Sequence, residues 1–152
     1  MVGLAGAPTG DALRVGRGLD PGRGSAVIAQ IVVRAAAAAT SLSPVRGAVR
    51  AHLLAAGAPA EVVADLELAV SELATNVIRH SSTDDIVVGL EQVGSSWVLD
   101  VHGAASLDAI APQIPRVGSV DGRGLVVAAA VTDHLELIDV GGERIVRCWR
   151  AG

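Results

Sequence analysis

Residues 60–80 carry the pattern that most narrows the fold. After Ala58-Pro59, Val62, Leu66, Ala69, Val70, Leu73 and Val77 recur at helical spacing and form one apolar stripe, which predicts a helix to about His80. A helix with a single apolar stripe must bury it against another layer. From residue 85 onward the runs become strand-like. DIVVGLEQVG and SSWVLDVHG read as a hairpin turning near Gly94-Ser95-Ser96. HLELIDV and ERIVRCW read as a second hairpin, turning at Gly141-Gly142.

The other segments fit around these. SPVRGAVRAHLLAAG predicts an earlier helix, opened by Ser43 and Pro44 as N-cap and first-turn residues and closed by Gly57. Its apolar positions are Val45, Val49, Leu53 and Leu54, with Arg46 and Arg50 to one side. Residues 26–33, AVIAQIVV, suit a strand, and residues 34–40 suit either a helix extension or a connection. Residues 1–24 are rich in Gly and lack a sustained period, so they read as a disordered tail ahead of one domain at 25–152. Residues 104–121, with Pro112 and Pro115, form a loop long enough to be a lid or binding loop. GRGLVVAAAVTD then opens a short helix. The order of elements predicts an α+β fold, a two-layer sandwich with a mixed or antiparallel sheet and helices on one face.

Composition limits the function classes. The 152 residues suit one domain with its own core. That core is aliphatic, because hydrophobic residues make up 51% and aromatic ones only 1%. The net charge is −4 with no dense basic cluster, which argues against phosphate-led nucleic-acid binding. The single Cys148 rules out an internal disulfide, and its apolar surroundings favour a core residue over a reactive thiol. No basic region followed by an apolar run opens the chain, and Arg34 interrupts the apolar stretch of residues 26–42. A cytoplasmic protein without a membrane span is the expectation.

Two polar features stand out. Glu72, Asn76 and His80 repeat every fourth residue on the long helix and so share a face. An Asn carboxamide one turn from a carboxylate suits a nucleotide–magnesium complex. The amide oxygen is a neutral ligand for a hard cation, and the carboxylate can orient or deprotonate a nucleophile. By spacing alone the same residues also fit a solvated helix face with His80 near the negative end of the helix dipole. The second feature is DGRGL at residues 121–125. Gly122 and Gly124 flank Arg123 at a helix start, where backbone N–H groups and the helix dipole favour an anion. Asp121 as a plain N-cap accounts for it equally well.

Together, EL-x-x-N-x-x-x-H, two strands, a variable loop, GRGL and a closing hairpin resemble the histidine-kinase-like (Bergerat-type) ATPase fold over residues 43–150. Within it they are most similar to the small bacterial anti-sigma-factor serine kinases and their actinobacterial relatives. LELAVSELATNVIRHS, residues 66–81, matches the N-box of that family. The resemblance implies ATP and Mg²⁺ as cofactors, with Asn76 as metal ligand and Glu72 as catalytic base toward a serine hydroxyl. It implies a supporting role for His80, places Gly122, Arg123, Gly124 and Leu125 along the phosphates, and makes residues 104–121 the ATP lid. It also implies a sigma factor and a STAS-type anti-sigma antagonist as partners, and a homodimer formed through the sheet.

The resemblance departs at two adenine-side positions. Where the family has an aspartate at the end of the strand before the lid, this chain has His102 followed by Gly103, which the resemblance makes the cofactor-binding pair on the adenine side, with a neutral His102 ring nitrogen as the acceptor. Asp100 lies two residues earlier, about 6.6 Å away along the strand. Where the family has Gly-Gly-x-Thr, this chain has Arg144. Two functions are therefore in competition: an ATP-dependent protein serine/threonine kinase that holds a sigma factor, and a catalytically decayed binding module of the same fold.

Overall fold

The strands form one antiparallel sheet, and the helices pack on one of its faces. The computed structural model describes residues 14–16, 28–103 and 123–152, with the backbone alone for 14–16 and 123. In chain order come β1 (Arg14–Gly16), β2 (Ile31–Ala36), a 3-10 turn (Ala39–Ser41), α1 (Leu42–Ala55) and α2 (Ala60–His80). Then follow β3 (Asp85–Val93), β4 (Ser96–His102), α3 (Arg123–Ala130), β5 (His134–Val140) and β6 (Glu143–Ala151). The sheet order is β1-β5-β6-β4-β3-β2, antiparallel at every pairing. This is the α+β sandwich that the sequence predicts. No described helix is long and apolar enough to cross a membrane.

The helices follow their stripes. α2 buries Val62, Val63, Leu66, Ala69, Val70, Leu73, Ala74 and Val77. α1 buries Val45, Val49 and Leu53, whereas Leu54, expected on that stripe, is exposed. α1 also starts before Ser43 and Pro44: Ser41 is its N-cap, and both residues lie inside its first turn, where proline costs nothing. Gly57 (φ +78°) ends it in a left-handed cap, in which Gly57 N–H bonds Leu54 O and Ala58 N–H bonds Leu53 O. The Arg50–Glu67 ion pair, at 3.1 Å, joins the exposed sides of the two helices.

Strand alternation divides the sheet into two faces. Ile86, Val88 and Leu90 of β3, Trp97, Leu99 and Val101 of β4, Leu135 and Leu137 of β5, and Val146 and Cys148 of β6 join the helices in one core. The opposite face carries a charged pair in the middle of the sheet. Asp100 is fully buried and receives Arg147 Nε and Nη2 at 2.7 Å each, plus the Ala29 N–H at 2.9 Å. The two tight turns follow their glycines: Gly94 (φ +62°) opens the β3–β4 hairpin, and Gly141 and Gly142 (φ +60° and +85°) form that of β5–β6.

The expected strand at residues 26–33 lies further along the chain. Pairing with β3 runs from Ile31 to Ala36, with a register shift between Ile31 and Val33. Ahead of it, Ala29 passes so close over Gly89 that a Cβ there would meet Ala29 O at 2.5 Å. The glycine permits this crossing, and Asp100 holds it through the Ala29 N–H. Arg14–Gly16, inside the segment expected to be disordered, adds a short strand beside β5. The rest of the tail and the expected lid at 104–121 lie outside the described residues.

Cys148 is wholly buried, and burial, the largest cause, raises its thiol pKa together with the Asp100 charge, against a bond with Thr132. The folded protein is therefore expected to react with Ellman's reagent no faster than it unfolds. A rapid stoichiometric reaction without denaturant would contradict this placement.

Candidate functional site

The direction of α2 places the polar stripe. Pro59 lies beside Gly152, which in turn lies beside Trp97, and Asp65 bonds Arg150 at 2.8 Å. α2 thus starts over the beginning of β4 and the end of β6. Asn76 lies roughly 24 Å further along the helix axis, and the end of β4 lies about 20 Å along the strand. Glu72 and Asn76 therefore stand near the end where β4 finishes and β6 begins.

There α3 closes on α2. Gly124, in the first turn of α3, is buried, and a Cβ on it would lie 3.1 Å from Glu72 Oε2, 3.3 Å from Asn76 Oδ1 and 3.3 Å from the Glu72 carbonyl. Two motifs separated by about fifty residues thus meet at one point, and the missing side chain brings them together. Leu125, expected along the phosphates, is instead 3% exposed within the aliphatic core and anchors α3. His80, the last residue of α2, is exposed one turn beyond Asn76. Gly122 and the Arg123 side chain lie outside the described residues.

The other end of the site differs from expectation. His102 alternates with Val101 and so faces away from the helices. Its ring is buried there, with Nδ1 3.0 Å from Glu143 Oε1. Asp100 shares that face and is held by Arg147. Neither side chain stands on the side of Glu72 and Asn76, because a period of two turns both outward whenever Val101 points inward. The position directed toward α2 is Gly103, in the left-handed region (φ +87°), and a Cβ there would meet Thr83 Oγ1 at 2.9 Å. Thr83 is fixed by a turn after α2, accepting from the Ser81 hydroxyl and donating to Asp85 O. Opposite Gly103 lies Arg144, whose carbonyl accepts the Gly103 N–H. Its parity with Val146 and Cys148 turns its side chain toward the helices.

A family model described as the histidine kinase-like ATPase domain matches residues 35–149. The chain belongs to that family. A search of the curated proteins found no match. The antiparallel sheet under α2 and α3 agrees with such an ATPase domain.

Mg-ATP is the cofactor this membership brings, and the site fits its two halves unequally. Where α2 and α3 meet, Asn76 offers a carboxamide oxygen, Gly124 lets the α3 backbone come close to it, and the positive end of α3 lies at the same point. Among the described residues no group of three or more His, Cys, Asp or Glu could hold a metal ion. Mg²⁺ bound through Asn76 would accordingly take its other ligands from phosphate oxygens and water, as this ion commonly does. At the other end, where the resemblance puts the base, no carboxylate faces inward from the described residues of β4. Thr83 occupies the space that a side chain at Gly103 would need, and Arg144 can only donate. The turn sequence SSTDD did not reveal Thr83 as a site residue, since Ser, Thr and Asp after a helix are ordinary turn chemistry.

Proposed function

We propose that this ATPase domain binds a magnesium–nucleoside triphosphate and acts as a protein serine/threonine kinase toward an anti-sigma antagonist, while also holding a sigma factor. The observation that carries the reading is the meeting of Gly124 with Glu72 and Asn76. When bound, the triphosphate would supply its terminal phosphoryl group to the serine oxygen, with the nucleoside diphosphate as leaving group. Asn76 would hold its magnesium, and the first turn of α3 would face the phosphates. The Glu72 carboxylate takes the proton of the attacking serine hydroxyl, general-base work worth about 10²–10⁴-fold in rate. His80, exposed at the end of α2, borders this site without a part in the proton transfer.

Glu72→Gln is therefore expected to lower phosphotransfer from labelled nucleotide to a STAS-type antagonist by about 10²–10⁴-fold. Nucleotide affinity should stay within a few-fold, because the amide preserves shape. Unchanged turnover in that variant would remove Glu72 from the mechanism. The side-chain-free, Thr83-filled position at Gly103 favours a second reading, a binding module that regulates its partner without nucleotide. Absence of any triphosphate binding at millimolar concentration would select it.

A further inference from the structure

Arg144 carries a buried guanidinium nitrogen, Nη1, that has no hydrogen-bond partner among the described residues. Its cross-strand neighbour Asp139 does not bond it; Asp139 Oδ1 accepts the Gly142 N–H in the hairpin turn. A buried charged donor left unbonded is costly and calls for an acceptor. The side chain projects from the helix-facing side of β6, opposite Gly103, at the end of the sheet over which Glu72, Asn76 and Gly124 meet. Because Gly103 has no side chain and Thr83 lies where one would stand, Arg144 is, among the described residues, the charged group that this end of the site offers a ligand.

The chemistry of that group selects a base edge. A guanidinium presents only donors, in a fork that matches O6 and N7 of a 6-keto purine. Adenine offers N7 but sets its own amino donor against the second arm of the fork. We propose that Arg144 reads the base, and that the site prefers a purine triphosphate with a 6-keto oxygen, guanine or hypoxanthine, to ATP. The proposal rests on the nucleotide-binding reading above and names its ligand class.

Calorimetric titration of the full chain with Mg-ATP, Mg-ITP and Mg-GTP tests it. ITP and GTP should bind at least about tenfold more tightly than ATP, the effect of roughly one hydrogen bond to a charged group. ITP should match GTP, because both present O6 and N7. In Arg144→Gln, checked for folding by thermal melting, that preference should shrink to within about threefold, since a neutral amide replaces the charged fork. Wild-type binding of ATP as tight as that of ITP would overturn the proposal and leave the nucleotide reading standing. Tight GTP with ITP no better than ATP would also overturn it, because the 6-keto oxygen would not be what is read. Failure of all three triphosphates to bind would overturn both.

Discussion

Asp100→Ala is expected to remove about 3–5 kcal/mol of folding stability, a large share of the roughly 5–15 kcal/mol available to a domain. The carboxylate is fully buried and accepts three hydrogen bonds, two from Arg147 and one from Ala29. Alanine leaves the guanidinium of the buried Arg147 without this carboxylate, and leaves a backbone donor at the entry to β2 unbonded. Burial pulls the Arg147 pKa down, and the bond and charge of Asp100, aided by Glu136 and Glu91, more than reverse it. Deleting Asp100 removes the main opposing contribution. The measurement is the urea midpoint, with the slope of the transition unchanged. Because the pair acts as a unit, the double variant Asp100→Leu/Arg147→Met should lose less than the sum of its single variants. A loss below about 1 kcal/mol for Asp100→Ala would show that solvent reaches the pair.

That pair shows where a linear reading of the chain stops. The stripe of α2 was legible because six apolar side chains repeat every three or four residues, and the local period alone sets the face. The two hairpins were legible because glycines sit where left-handed backbone is needed. Asp100 and Arg147 are 47 residues apart, and only the β4–β6 register sets them opposite each other. Nothing in either strand alone marks the partner. Residues 34–36 defeated local reading for a related reason, although residues 31–33 were read as strand. An alanine run prefers helix by itself, but the open edge of β3 offers it a ladder of backbone bonds.

The candidate site divides in the same way. Glu72 and Asn76 could be placed on one helix face from their spacing, and the GRGL segment could be placed at a helix start. Their meeting needed the fold, since α3 reaches α2 only after the chain has crossed two strands. At the base end a single residue of register decided the matter. Matching His102 to an inward acceptor requires the parity of β4 to be shifted by one, and the core positions Trp97, Leu99 and Val101 exclude that. The inward position is Gly103, and a side chain there would collide with a threonine twenty residues earlier in the sequence.

Gly124→Val is expected to eliminate measurable nucleotide binding while leaving the protein folded. The first added carbon already lies 3.1 Å from Glu72 Oε2 and 3.3 Å from both Asn76 Oδ1 and the Glu72 carbonyl oxygen. Side chains can give by a few tenths of an ångström, but a helix carbonyl cannot move without its helix. Gly124→Ala is the milder change, because the alanine gains up to about 1 kcal/mol of helix preference to set against the close contacts of its one added carbon. Valine adds two methyl groups to a carbon that is already in close contact on the α2 side. They push α3 away from α2 or force Glu72 and Asn76 out of their rotamers, at a stability cost of about 1–3 kcal/mol. Either movement separates the magnesium ligand from the backbone that lies along the phosphates. Losing two charged contacts of roughly 1.5–3 kcal/mol each lowers affinity by at least about 100-fold. Titration with Mg-triphosphate measures this, and a thermal melt with a cooperative transition separates lost binding from lost folding. A folded Gly124→Val protein with wild-type affinity would place the ligand elsewhere than between α3 and Asn76.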